Sequence, residues 1–269
     1  MQFPSIIYGT AWKEEATAGF VRQAVTEGFC GIDTANQKKH YREDYVGAAL
    51  LDLAAKGIKR EQLFLQSKYT YKEGQDHRLP YDPKADWATQ VRSSFAGTLK
   101  NLHTDYLDSY LLHGPSSGKG LMDKDWEVWS AMEDLRQSGQ VRFLGVSNVG
   151  LHHLTELYEK ARVKPQIVQN RCFASRGWDQ AVREYCFRNE IVYQGFSLLT
   201  ANSQVTENSR VTAIASRLKV TAQQVIFRFA MQIDILPLTG TTDPQHMKEA
   251  YDVAQIQLSL ADVDAIYRI

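Results

Sequence analysis

An alternation constrains this chain more than any other feature. Short apolar runs and longer stretches with helical spacing follow one another about eight times across 269 residues. The apolar runs cover 5–10, 30–33, 63–68, 106–112, 141–146, 166–169, 191–196 and 234–237. Between and after them, apolar residues recur at helical spacing over 14–27, 42–56, 87–102, 126–137, 151–161, 179–188, 208–218, a stretch opening at Thr221, 246–253 and 259–268. Thr221 followed by Gln224 fits a capping box, and Gly139 supplies a helix stop. No linker, repeat or low-complexity segment interrupts the pattern. Strands that alternate with helices build a parallel sheet, and eight such units at this length close it. The expected architecture is α/β: a single-domain (β/α)8 TIM barrel over 1–269, with its active site at the C-terminal rim of the strands.

Composition removes several alternatives. Lysine plus arginine balance aspartate plus glutamate at 31 each, so no electrostatic case exists for nucleic acid or an anionic membrane surface. Cys30, Cys172 and Cys186 lack metal-ligand spacing and read as reduced thiols. The start, from Met1 to Pro4, has no basic leader, and no apolar run is long enough to span a bilayer. A cytoplasmic protein with a small-molecule partner is the expectation. The segment 69–84, with Tyr71, His77, Tyr81 and two prolines, reads as a long functional or disordered loop.

Ionisable residues stand at three successive strand ends: Asp33, Lys68 and His113. Tyr41 follows on the loop leaving the second strand. Strand ends of a barrel share one rim, so these residues can converge despite their separation in sequence. In this frame the chain resembles the aldo-keto reductase family over essentially its whole length. The resemblance rests on Gly9-Thr10-Ala11-Trp12, Ile32-Asp33-Thr34-Ala35, Phe64-Leu65-Gln66-Ser67-Lys68, the run Leu107 to His113, Gly145-Val146-Ser147-Asn148, and Gly240-Thr241 followed by His246.

That resemblance implies NAD(P)H-dependent reduction of an aldehyde or ketone, with Asp33, Tyr41, Lys68 and His113 as the catalytic tetrad. Carbonyl reduction needs hydride on carbon and a proton on oxygen. A lysine ammonium beside the tyrosine favours phenolate and makes the phenol a better acid. Asp33 would hold Lys68, and His113 would orient the substrate carbonyl. For the cofactor the resemblance implies Gly9, Thr10 and Asp33. It adds Ser147, Asn148 and Gln169 at the nicotinamide carboxamide, and Phe196 as a stacking aromatic. Ser197 and Leu199 would meet the pyrophosphate, and Gly240, Thr241 and His246 the phosphate end, where a helix N-terminus would cradle it. Trp12, Tyr69, Tyr71, His113 and Phe173 are the candidate substrate contacts, in a pocket left open because the chain stops soon after its last helix.

Two departures leave alternatives. Counting back from Glu43 and Val46-Gly47 with the family's spacing lands on His40, so either His40 or Tyr41 takes the acid position; hydroxyl chemistry beside Lys68 favours Tyr41. At the adenosine end Gly240 stands where relatives that prefer NADPH often carry lysine, and His246 where they carry arginine. NADPH (NADP+) is expected by family habit, with Lys248 as a substitute cation and NADH as the alternative. Two other classes were weighed: a nicotinamide-binding sensor with little turnover, against which the tetrad argues, and a metal-dependent barrel hydrolase. The latter would want a His-x-His pair at a strand end, whereas His152-His153 fall on a helix.

Overall fold

The computed structural model describes residues 3–269, so Met1 and Gln2, part of the start read as lacking a leader, lie outside the described residues. Eight parallel strands close into a barrel in sequence order. They are β1 (Ile7–Gly9), β2 (Gly31–Asp33), β3 (Phe64–Tyr69), β4 (Leu107–Leu112), β5 (Val141–Ser147), β6 (Ile167–Arg171), β7 (Val192–Phe196) and β8 (Leu236–Thr239). Every adjacent pair is parallel, and β8 returns to β1 through Leu238 opposite Ile7. The outer helices are α1 (Thr17–Thr26), α2 (Glu43–Ala55), α3 (Trp87–Leu102), α4 (Asp123–Gln137), α5 (Leu151–Lys160), α6 (Gln180–Arg188), α7 (Ser203–Thr206), α8 (Ser209–Leu218), α9 (Ala222–Gln232), α10 (Pro244–Asp252) and α11 (Leu260–Tyr267).

The strands read as nearly continuous apolar runs because both faces are covered. Alternate residues point outward to the helices, where Tyr8, Leu65, Tyr110, Leu144 and Val168 join the main core. The inward residues form layers. Phe64, Leu111 and Ile167 fill the bottom, with Phe3, Phe143 and Val192 against them. Two residues further along three strands come Gln66, Gln169 and Gln194, and two further again Lys68, Arg171 and Phe196. The same period of two thus carries each strand from apolar floor to amide layer to rim.

Element edges moved where local capping overrode periodicity. The eighth strand, expected at 234–237, begins at Leu236, because Asp234 and Ile235 close the end of α9: their amides donate to the Met231 and Ala230 carbonyls. α4 starts at Asp123, since Asp125 folds back to accept the Met122 amide at 2.8 Å. Residues 14–16 form a 3-10 turn ahead of α1. The long segment 69–84 is ordered, with a 3-10 turn at Lys72–Gly74. It is tied to the loop after β2: the Gln37 side chain donates to the Gly74 carbonyl at 2.6 Å, Gln75 to Asn36 at 2.9 Å, and Arg78 to Lys38 at 2.7 Å. Gly47 sets how closely α2 approaches the end of α3. A Cβ there would lie 1.8 Å from the Asn101 carbonyl oxygen, so only glycine lets α2 pack this tightly on α3.

Candidate active site

Asp33 ends β2 at the centre of the amide layer. Its Oδ1 accepts from Gln66 at 2.8 Å, Gln169 at 3.0 Å and Lys68 at 2.7 Å, while Oδ2 accepts from Lys68 at 2.6 Å. The Gln194 carbonyl accepts from both other glutamines, which completes the ring. Lys68 donates its remaining hydrogen to the Thr34 carbonyl at 2.8 Å. An ammonium has three hydrogens, so all are engaged. Burial draws the Lys68 ammonium below its ordinary pKa, against the opposing pull of Asp33.

Tyr41 reaches the same place from the loop after β2. Lys68 Nζ lies 5.1 Å from the centre of its ring, and the His113 ring meets it edge-on at 6.1 Å. His40 turns aside: it stacks on Trp12 at 3.8 Å, and its Nδ1 lies 3.0 Å from Gln37 Oε1. The extra loop length is absorbed in a turn in which both the His40 and Tyr41 amides donate to the Gln37 carbonyl. A lowered Tyr41 pKa was the expectation. Instead burial, followed by the Asp33 carboxylate, pushes the phenol well above its ordinary value. Burial is the main reason, since it disfavours the charged phenolate, and the Asp33 carboxylate adds to it. His113 is pushed down to about 3 by burial and then by Lys68, so its ring is neutral.

Asp33, Tyr41 and His113 share one cavity of about 1050 Å³ at the C-terminal rim, large by the ~300–1,000 Å³ standard of ligand sites, and Lys68 lies fully buried behind Asp33 without lining it. Gly9, Trp12, Asp33, Tyr41, Tyr71, His113, Ser147, Asn148, Gln169, Phe196, Ser197, Leu199, Gly240 and Thr241 all line it. Trp12, Asn148 and Ser197 hold left-handed backbone at its edge, with φ of 62°, 57° and 57°. For the bulky Trp12 this is stored strain of about 1–2 kcal/mol.

Four expected contacts do not reach the cavity. Tyr69 follows Lys68 on β3, so alternation turns it outward, where it is fully buried beside Tyr71 and Tyr81. Phe173 lies past the end of β6, beneath the Arg176 guanidinium. Thr10 is buried and donates its hydroxyl to the Asp33 carbonyl at 2.9 Å. His246 is exposed, with its amide donating to Asp243 at 3.0 Å. That last bond also alters the expected phosphate cradle, because Asp243 caps the N-terminus of α10 with its own carboxylate.

The positive charge at this end comes from Lys13, which no motif in the sequence marks. Lys13 is only 6% exposed, and its ammonium donates to the carbonyls of Gly240 at 2.9 Å and Ala11 at 3.3 Å, with the Tyr8 ring centre 5.3 Å away. No carboxylate pairs with it among the described residues, and burial pushes it down to about 8. It lines the cavity beside Gly240. A Cβ at 240 would sit 3.4 Å from Lys13 Nζ, so this ammonium lies directly beside the position where a side chain at 240 would begin. A buried ammonium without a counter-charge, facing a cavity, fits a ligand that brings phosphate. Arg171, over the Phe196 ring at 5.6 Å, is a second lining cation that the sequence did not single out.

A parallel eight-stranded barrel with an Asp–Lys pair, a tyrosine and a neutral histidine around one rim cavity agrees with what comparison shows. The sequence model of the aldo/keto reductase family matches residues 5–269. The chain belongs to that family. It is 32% identical to a glyoxal reductase of Bacillus subtilis over 252 residues, 94% of this chain and 82% of that protein. It is 28% identical to aldose reductase B of Dictyostelium discoideum over 268 residues, covering 91% and 81%. Among solved structures, an aldo/keto reductase from Brucella melitensis superposes with a TM-score of 0.83 at 26% identity, covering 99% of this chain and 95% of that one. The aldose reductase of Giardia lamblia gives 0.82 at 25%, covering 100% and 93%. This aldo/keto reductase is accordingly an NAD(P)H-dependent oxidoreductase of a family that acts on small carbonyl compounds. No helix among its described residues is long and apolar enough to cross a membrane.

Proposed function

We propose that this aldo/keto reductase reduces an aldehyde or ketone to the alcohol with Tyr41 as the general acid. One observation carries the assignment: Tyr41 stands beside the buried Lys68–Asp33 pair and across from His113, while His40 is stacked on Trp12. When bound, the reduced nicotinamide supplies the hydride. Ser147, Asn148 and Gln169 would hold its carboxamide, and Phe196 its ring. Gln169 keeps its carbonyl oxygen without a protein partner among the described residues, while its amide hydrogens serve Asp33 and Gln194.

The chain's own part is the proton. A phenol with a raised pKa stays protonated throughout the neutral range, so Tyr41 is always loaded as a donor. As negative charge gathers on the substrate oxygen, the proton passes from Tyr41 to it, and the phenolate left behind faces Lys68. The ammonium can exchange its Thr34 carbonyl for that phenolate, which offsets the cost of leaving charge in a buried site. Neutral His113 can donate one hydrogen bond to the same oxygen without adding charge. Lys13, Gly240 and Thr241 would take a phosphate group of the dinucleotide. The free ammonium at Lys13 supports NADPH, with its additional phosphate, over NADH.

Oxidation of NADPH and of NADH, followed by absorbance with an aromatic aldehyde and with glyoxal, tests this reading. Glyoxal enters the panel because of the Bacillus relative. Tyr41→Phe should lower turnover by about 10²–10⁴-fold while cofactor binding persists, and His40→Ala should stay within a few-fold of wild type. Loss of turnover with His40→Ala but not Tyr41→Phe would reverse the assignment. Cofactor binding without turnover in wild type, across the whole panel, would make the protein a sensor.

A further inference from the structure

His113 presents one ring nitrogen to the cavity and keeps the other in the protein. Its backbone is fixed on both sides: its amide donates to the Tyr69 carbonyl at 2.9 Å, and its carbonyl accepts from Asn148 Nδ2 at 2.8 Å. Ring Nδ1 lies 2.7 Å from Thr70 Oγ1, and Nε2 has no partner among the described residues. A neutral imidazole carries one donor and one acceptor, so the proton sits on only one of these nitrogens. Only the form with hydrogen on Nε2 can donate to a substrate oxygen.

Thr70 discriminates between the two forms. It is buried, and its hydroxyl has no other partner among the described residues. Were Nδ1 the donor, the Thr70 hydroxyl hydrogen would be left without an acceptor in a buried place, the costly arrangement for a polar group. With Thr70 donating to Nδ1, no hydrogen is orphaned, and Nε2–H faces the open cavity. The threonine is itself held. Its carbonyl accepts from Tyr81 OH at 2.7 Å and Gln75 Nε2 at 3.3 Å. Its methyl lies 2.8 Å from where a Cβ on Gly74 would stand, so glycine at 74 leaves the room that this rotamer occupies.

We infer that Thr70 is a positioning residue, whose hydroxyl donates to His113 Nδ1 and thereby fixes the ring as the tautomer that offers Nε2–H to the substrate carbonyl. The kinetic consequence rests on the proposed role of His113, whereas the tautomer itself does not. The segment 69–84 then acts as a brace that sets the protonation pattern of a residue on the neighbouring strand.

The test pairs Thr70→Val, which keeps shape and removes the hydroxyl, with Thr70→Ser, which restores it. In ¹⁵N-histidine spectra of the protein without cofactor, wild type and Thr70→Ser should show an unprotonated Nδ1 and a protonated Nε2 for His113. Thr70→Val should show a mixture of tautomers or the reverse form. With aldehyde, Thr70→Val should lower kcat by about five- to tenfold, the worth of roughly one hydrogen bond, with dinucleotide affinity unchanged and Thr70→Ser near wild type. A wild-type spectrum with hydrogen on Nδ1 overturns the inference, and that spectrum decides it even if Thr70→Val fails to fold. An unchanged tautomer and kcat in Thr70→Val overturn it as well. The expected spectra combined with full activity in His113→Ala would uphold the tautomer assignment and remove His113 from the proposed reaction.

Discussion

Two buried lysines serve one site and have opposite surroundings: Lys13 lines the cavity, and Lys68 is fully buried behind Asp33. Lys68 spends all three hydrogens inside the protein, two of them on a carboxylate. Lys13 rests on two carbonyls and has no carboxylate partner among the described residues. The first is charge-balanced before any ligand arrives, and the second is not. The contrast separates two duties within one site. A group that must meet a transient charge is best fixed in advance by its own network. A group that must capture a permanent anion gains most if that anion is its first full counter-charge. The Lys68 end is accordingly a stiff hub of glutamines around Asp33, while the Lys13 end is the backbone carbonyls of Ala11 and Gly240.

Removing the carboxylate of the balanced pair should produce the largest effect. Asp33→Asn leaves the Lys68 charge uncompensated in the barrel interior, a loss of about 3–5 kcal/mol in urea unfolding. Aldehyde turnover should fall by at least about 100-fold, since Lys68 either loses its proton or its position. Stability within 1 kcal/mol of wild type would erase the distinction between the two lysines.

Lys13→Met should do the reverse, leaving the free protein as stable as wild type or slightly more so, because it removes a buried charge without a partner. Its effect belongs to binding. Affinity for NADP+ by calorimetry should fall about 10–100-fold, the worth of a charge-assisted hydrogen bond of roughly 1.5–3 kcal/mol. The sign with pH follows from burial, which lowers this ammonium to about 8. Below that pH the cation is present and affinity is constant. Above it the amine is neutral in the free protein and affinity drops. Lys13→Met should remove that inflection, and its persistence would assign the phosphate to another cation.

A pH dependence sharpens the Lys68 side. Glu43, at the start of α2, is buried against Ser67 Oγ at 2.5 Å, with Thr98 and Asn101 nearby, and burial raises it to about 7. A carboxyl whose folded pKa is raised binds protons more tightly in the folded state than in the unfolded one. Stability is therefore highest below the ordinary carboxyl pKa of about 4.3, declines as pH rises from there to about 7, and levels off above it. Glu43→Gln should flatten that decline in denaturation curves measured across the window. An unchanged slope would place the titration elsewhere.

The sequence by itself determined the barrel, the order of its elements, and the cluster of Asp33, Lys68 and His113 at one rim. Periods of two and of 3.6 are written locally, and strand ends in a parallel barrel share a rim whatever the details. It also exposed the Tyr41–His40 ambiguity without resolving the geometry, since register in a loop depends on what the loop packs against. Here that is the turn on Gln37 and the brace of 69–84. Only the tertiary structure decided that Tyr69 faces away although Lys68 faces in, that Asp243 caps α10 against the expected phosphate cradle, and that Lys13 stands beside Gly240. Thr70 could have been suspected, two residues past Lys68 on the same face, but its partner lies on another strand. Charge compensation and hydrogen-bond partnership are properties of neighbours in space, and the chain's local pattern specifies which residues turn inward without specifying whom they meet.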